Sequence, residues 1–216
     1  MKLYPYQVSY VKDIRRAVAR GHKRILVVAP TGSGKTVIAS QIMLKASEKN
    51  SHVLFLAHRR ELIKQASATL GKFGCPNSKI MAGEEGGHEN VQIASVQTLQ
   101  SRAKKRAVMP YPKADIIIID EAHRSASKTY KDIIARYETE NPNTIVLGIT
   151  ATPVRGDRCG LGNIYDHLIQ SKTLRGLTTE GYLVPVRYFA REKPDLTNVA
   201  VDSHTRDYNM KQLQAA

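Results

Sequence analysis

Cysteine is scarce in this chain. Cys75 and Cys159 are the only two thiols in 216 residues. That is too few for a disulfide framework, and neither sits in a paired metal-ligand motif. They read as reduced thiols of a cytoplasmic protein. Long apolar runs are missing too, so no membrane span is expected. Met1-Lys2 leads into Leu3-Tyr4-Pro5-Tyr6-Gln7 rather than an apolar stretch, and no secretory signal is expected there. Acidic residues are few, 19 against 33 lysines and arginines, for a net charge of +14. An excess of that size suggests a polyanionic partner. Because it is spread along the chain, a merely basic soluble protein stays open. No acidic–lysine cluster resembles a nuclease site. Of seven histidines, six share no spacing that would suggest a metal.

What is present begins with Ala29-Pro30-Thr31-Gly32-Ser33-Gly34-Lys35-Thr36. The apolar run Ile25-Leu26-Val27-Val28 precedes it, and a helix-periodic segment follows, the strand–loop–helix setting of a phosphate-binding loop. Gly32 and Gly34 let the chain curl so that backbone N–H groups converge on phosphate oxygens. Pro30, Thr31 and Ser33 complete the cradle. Lys35 would reach the β- and γ-phosphates of ATP, and the Thr36 hydroxyl would hold Mg²⁺. The usual pattern starts with Gly where this chain has Ala29, so the first turn must avoid the left-handed region. A plain Gly/Ser/Thr turn is the alternative, and the flanks argue against it.

Asp115-Ile116-Ile117-Ile118-Ile119-Asp120 is a β-branched run apolar on both faces, which suits a central parallel strand. It ends in Asp120-Glu121-Ala122-His123. A carboxylate there can hold the nucleotide's metal (Asp120), and the next can orient and deprotonate the attacking water (Glu121). A solvated acidic turn is the bland alternative, disfavoured by the loop upstream.

Apolar periodicity predicts alternating helices and strands. Helices are expected over 6–20, with Val8, Val11, Ile14 and Val18 inward, and over 35–48, 59–73, 97–107, 130–137 and 173–180. Strands are expected over 25–29, 53–56, 79–82, 91–94, 115–120 and 144–149, with 83–87 a flexible loop and 181–186 a turn into a strand. The order implies an α/β fold with a mostly parallel, doubly wound sheet and ligands at the carboxyl ends of its strands.

Six motifs in order resemble the first RecA-like P-loop NTPase domain of a superfamily 2 DEAH-box helicase or translocase, on the branch of type III restriction motor subunits. Tyr4-Pro5-Tyr6-Gln7 resembles the adenine-recognition segment, with Gln7 matching the glutamine that reads the base. Family members usually carry Arg at the position of Tyr4, so a contact from there would be aromatic stacking. The phosphate loop matches motif I, and Ala57-His58-Arg59-Arg60-Glu61-Leu62 matches motif Ia. Ser95-Val96-Gln97-Thr98-Leu99 resembles the next strand-contacting motif. Asp120 to His123 matches motif II and Thr150-Ala151-Thr152 motif III.

The resemblance implies ATP hydrolysis coupled to movement on nucleic acid, DNA rather than RNA. His123, Thr150 and Thr152 would couple the γ-phosphate to motion. Arg59 and Thr98 would touch the nucleic-acid backbone, Arg59 where a helix follows a strand end. Arg60 reads equally as a paired surface charge. The basic run Arg102 to Arg106 reads equally as a phosphate grip or a solvated face, and no role is assigned to Arg155 and Arg158. The chain is read as a domain over 1–190 and a tail over 191–216 approaching a linker. The second RecA-like domain and its arginine finger would come from elsewhere, leaving this half weakly active. A nucleotide-dependent binding switch without translocation is the competing reading.

Overall fold

A computed structural model of the chain describes residues 3–153, 160–170 and 172–185. Met1–Leu183 forms one compact unit. The second, Val184–Ala216, lies outside the described residues beyond Pro185. The first unit begins with α1 (Pro5–Ala19), β1 (Arg24–Val28), α2 (Lys35–Ser47), β2 (Val53–Ala57) and α3 (Arg60–Lys72). It continues through β3 (Ser78–Met81), β4 (Glu84–Glu85), β5 (Val91–Ser95), α4 (Val96–Leu99) and a π-helical turn (Gln100–Lys105). The last part holds β6 (Ile116–Asp120), a 3₁₀ turn (Ala122–Ala126), α5 (Lys128–Glu140), β7 (Ile145–Thr150), β8 (His167–Gln170) and α6 (Leu174–Thr179).

The strands form one sheet in the order β4-β3-β5-β2-β6-β7-β1-β8. Every pairing is parallel except β3 with β4. Alternation along the strands explains the two layers. Ile25, Val27, Phe55 and Ile118 point to one face, where Ile38 and Met43 of α2, Ile63 and Leu70 of α3 and Tyr10 and Ile14 of α1 cover them. Leu26, Leu54, Leu56, Ile117 and Ile119 point to the other, against Leu99 of α4 and Tyr130, Ile133 and Ile134 of α5. Burial on both sides is why the central strands read as unbroken apolar runs.

The expected elements are present, with shifted ends and several corrections. The buried stripe of α1 is Tyr6, Gln7, Tyr10, Val11, Ile14 and Ala17, whereas Val8 is exposed. Two tyrosines at helical spacing carry that face in place of the expected valine. Segment 83–87 is not a free loop: β4 folds back antiparallel on β3, and Lys79 pairs with Glu84 at 2.8 Å. The 97–107 helix becomes short α4 and then the π-helical turn. Two of its cations serve the fold, since Arg102 donates to the carbonyls of Glu84 (2.7 Å) and Met81 (3.2 Å), and Lys104 to Asp132 (2.6 Å). Edge strand β8 was not anticipated. Only Ile169 of its four residues is fully buried, so its apolar signal is weak. Residues 181–185 form no strand, and Val186, Cys159, Arg155, Arg158 and the 191–216 tail lie outside the described residues.

Candidate functional site

β1 delivers the phosphate loop to the carboxyl edge of the sheet. Its exit is tied down by Ala29 N–H donating to Thr150 O at 2.9 Å. Ala29 is fully buried and is not among the residues with positive φ, so the first turn tolerates its methyl as expected. Gly32 (φ 83°) and Gly34 (φ 78°) occupy the left-handed region, and Gly34 is the N-cap of α2. A Cβ at Gly34 would lie 2.5 Å from Gln7 Nε2, so a side chain here would push that amide aside as well as strain the left-handed backbone. Lys35 and Thr36 open α2, half-buried, while Thr31 and Gly32 are exposed. Ser33 is buried, and its Oγ has no hydrogen-bond partner.

Gln7 packs beneath this loop. Its Nε2 donates to Ser33 O (3.1 Å) and Tyr6 Oη (3.4 Å), and its Oε1 accepts from Tyr4 N–H (3.0 Å). The Tyr6 hydroxyl also donates to Ser33 O at 2.9 Å.

β6 stands two places from β1, with β7 between them. The register pairs Asp120 with Ile149 and Thr150 with Val28, so the acidic strand end and the phosphate loop stand at one level of the sheet. Lys35 lies within electrostatic reach of Asp120. Burial, then the neighbouring charge of Glu121, pushes the Asp120 carboxyl up to about 6, against the opposing pull of the Glu121 N–H and Lys35. Glu121 holds a left-handed backbone (φ 54°, ψ 57°) and donates its N–H to Asp120 Oδ1 at 3.1 Å. Strain of this kind in a non-glycine residue is typical of functional turns.

From Glu121 a polar chain runs across the edge. His123 Nδ1 lies 3.4 Å from Glu121 Oε2 and 3.3 Å from Thr150 Oγ1. Thr150 Oγ1 donates to Thr152 O at 3.0 Å, and Thr152 N–H returns to Thr150 Oγ1 at 3.2 Å. Glu121 and His123 of motif II and Thr150 and Thr152 of motif III are therefore linked in one chain of contacts.

The nucleic-acid candidates occupy the neighbouring strand ends. Arg59 is the exposed N-cap of α3 at the end of β2. Thr98 lies in α4 after β5, whose last residue Ser95 caps it by accepting the Thr98 N–H at 3.4 Å. β2 and β5 are adjacent, so the two candidates share one stretch of the edge. Arg60 is exposed and donates to Ala82 O at 3.3 Å.

The family profile described as "Type III restriction enzyme, res subunit" matches residues 1–155. This chain belongs to that family. It is an N-terminal RecA-like domain of the superfamily 2 helicase type. The ATP-dependent DNA helicase MPH1 of Saccharomyces cerevisiae is 29% identical over 92% of the chain and 21% of its own length. A 51.5 kDa protein of a Lactococcus phage is 30% identical over 88% of the chain and 37% of its own length. The chain thus spans little more than a third of these relatives at most. In fold, the helicase domain of Pyrococcus furiosus Hef superposes with a TM-score of 0.64 at 23% identity, over 83% of this chain and 40% of that one.

Three features of this restriction-family domain were given no role from the sequence. Tyr182, beyond α6, packs edge-on against Tyr4 (5.3 Å between centroids) and Tyr6 (4.8 Å), beside the phosphate loop. His58 has both ring nitrogens buried without a partner. Burial first, then the Arg124 and Arg59 charges, keeps its imidazole below its ordinary range. It borders a cleft of about 380 Å³ shared with Gln97, Gln100, Arg124, Thr129 and Tyr130, and the buried Tyr130 hydroxyl is likewise unpartnered. The position of His58 inside motif Ia was a usable signal. Nothing in the local sequence marks Tyr130 or Tyr182.

Proposed function

We propose that this domain is the ATP-binding first half of a motor that hydrolyses ATP while moving on nucleic acid, DNA in preference to RNA. The observation that carries the reading is that the β1 loop leading to Lys35 and the β6 end carrying Asp120 stand at one level of the carboxyl edge, with β7 between the two strands and Lys35 in electrostatic reach of Asp120. Lys35 would draw negative charge from the β- and γ-phosphates, with the loop N–H groups from Thr31 to Thr36 around them. Glu121 would orient the attacking water and accept its proton. His123, in contact with both Glu121 and Thr150, would pass a change at the γ-phosphate to Thr152.

The site also fits a divalent cation. Asp120 is a desolvated carboxyl with one lysine in reach, so it lacks positive charge. Among the described residues no cluster of three acidic, histidine or cysteine ligands could cage a metal. That suits Mg²⁺, which keeps its waters and binds through one or two protein groups plus phosphate oxygens. Thr36 and Asp120 would hold it, and when bound it would neutralise charge developing between the β- and γ-phosphates. The second RecA-like domain would add the far wall of the cleft and an arginine finger, worth about 10³–10⁵ in rate in related nucleotidases. Alone, this half should bind nucleotide and turn it over slowly.

The test is steady-state ATP hydrolysis with and without DNA or RNA oligonucleotides, with the second domain supplied. Stimulation by DNA that disappears in Glu121→Gln, with nucleotide binding kept, supports the motor. Equal turnover with and without nucleic acid supports a binding switch instead, and stimulation by RNA alone reassigns the track.

A further inference from the structure

The phosphate loop is covered by a segment far along the chain. Gly32 is exposed and left-handed (φ 83°), and a Cβ built there would lie 3.1 Å from Leu183 Cδ2 and 4.0 Å from Cδ1. The Leu183 side chain therefore covers the face of Gly32 from which a side chain would project. Leu183 is held in turn by α6. Its N–H and that of Tyr182 both donate to Leu177 O, at 3.2 and 2.9 Å. Leu177 is fully buried, in the core layer that also holds Tyr6 and Ala29. The start of α6 borders the loop as well, since Thr173 and Leu174 line a cleft of about 340 Å³ with Pro30 and Thr31. Residues 173–183 thus form a strap pinned at Leu177 and bordering the loop at both ends. Leu183 is also the last residue of the first unit.

A glycine-rich loop has little of its own to hold a curled shape, because glycine gives up more conformational freedom than any other residue when it is fixed. Apolar cover on Gly32 removes part of that freedom before a ligand arrives, so less is lost when the loop closes round phosphates. The cover exists only while the strap is docked. Loop and strap therefore share one equilibrium.

We propose that Leu183 is a positioning residue for the nucleotide site: docked on Gly32 it holds the phosphate loop in its binding shape, and a nucleotide in the loop holds the strap docked in return. The inference rests on the nucleotide-binding reading above and adds to it a route from the phosphates to the chain that continues beyond the first unit.

Linkage makes the test quantitative. The factor by which docking strengthens nucleotide binding is the factor by which nucleotide shifts the undocking equilibrium. A fluorescent ribose-labelled ADP in Mg²⁺ reports affinity, and amide hydrogen exchange at Tyr182 and Leu183 reports undocking. Leu183→Ala should bind the labelled ADP about threefold to tenfold more weakly. Saturating ADP in Mg²⁺ should slow exchange at Tyr182 and Leu183 of the unsubstituted protein by a similar factor. The Phe73 and Cys75 amides, both bonded to Leu70 O at the end of α3, are the comparison and should change less. Leu183→Met keeps apolar bulk over Gly32 and should restore most of the affinity, whereas Val184→Ala, at a side chain 83% exposed, should cost nothing. Exchange at Tyr182 and Leu183 that ADP leaves unaltered, or slows no more than at the α3 turn, overturns the proposal, even should Leu183→Ala fail to fold. So does labelled ADP held as tightly by Leu183→Ala as by the unsubstituted protein, or an equal loss in Val184→Ala. Failure of the labelled ADP itself to bind would be a different result, removing the nucleotide reading and this inference with it.

Discussion

The two halves of the carboxyl edge are built on opposite terms. On the β6–β7–β1 half, polar groups other than the unpartnered Ser33 hydroxyl are mostly used up within the protein: Gln7 and Tyr6 on the Ser33 carbonyl, Glu121 N–H on Asp120, His123 between Glu121 and Thr150, and Thr150 on Thr152. On the β5–β2 half they are left over. Both His58 nitrogens and the Tyr130 hydroxyl are buried without partners, and the Arg59 guanidinium is exposed with no hydrogen bond to any described residue. A pre-assembled network suits chemistry that must be held in one geometry. Unspent donors and acceptors suit a surface completed by a polymer whose backbone supplies the missing partners. The first half resembles a finished instrument and the second an open socket.

The sharpest way to break this comparison is Lys35→Ala. It removes the one lysine in reach of Asp120 and should weaken nucleotide binding by about 10²-fold or more, a loss of roughly 3 kcal/mol. DNA affinity measured without nucleotide should stay within about twofold, because the β5–β2 half does not depend on that lysine. A matching fall in DNA affinity would show that the halves are not separable.

Asp120→Asn probes the cost of the finished half. The folded carboxyl is raised to about 6, so ionisation is disfavoured in the fold. The sign follows directly. Stability is greatest below the ordinary carboxylate range, falls as pH rises from about 4 to about 6, and stays low above that. In chelator and without nucleotide, Asp120→Asn should therefore stabilise the domain at pH 7 by at most about 3 kcal/mol, and by nothing below about pH 4. Thermal melts at the two pH values check this, and a destabilised variant at pH 7 would mean that the carboxylate is well paired in the free protein.

The same contrast explains what could be read from sequence. Contiguous residues with a fixed chemical task were legible: the loop from Ala29 to Thr36, the Asp120 to His123 turn, and the β-branched runs flanked by helical periodicity. Their spacing is set by the backbone, so one stretch of chain carries the whole signal. Contacts assembled from distant segments were not legible. Tyr182 meets Tyr4 and Tyr6 only because α6 returns the chain to the phosphate loop, and Tyr130 lines one cleft with His58 only because α5 covers the sheet face that also holds Leu54 and Leu56 of β2. The basic run near residue 104 was left open between two readings for a related reason. Charge alone does not reveal that Arg102 caps the β3–β4 hairpin through the carbonyls of Met81 and Glu84.

His58→Leu tests the socket from the stability side. Two buried nitrogens without partners cost free energy in the unliganded protein, and a leucine of comparable size removes that cost. The variant should be more stable by about 1 kcal/mol, bind nucleotide as before, and bind DNA more weakly. Reduced stability would show that water already satisfies the ring in the cleft it shares with Tyr130.

The smallest effect is expected at Arg59, and it is the most diagnostic of what fills the socket. A backbone contact contributes through release of counterions, so its loss appears less in affinity at one salt concentration than in the dependence on salt. Arg59→Ala should lower DNA affinity by about threefold to tenfold, independent of sequence, and reduce the slope of log affinity against log salt by about one. Arg60→Ala is the internal control. Its guanidinium is turned toward Ala82 O, so it should change the slope less than Arg59→Ala does despite carrying the same charge one residue away. Equal slopes for the two variants would mean that only overall positive charge draws nucleic acid to this edge, and that the end of β2 contributes no defined phosphate contact.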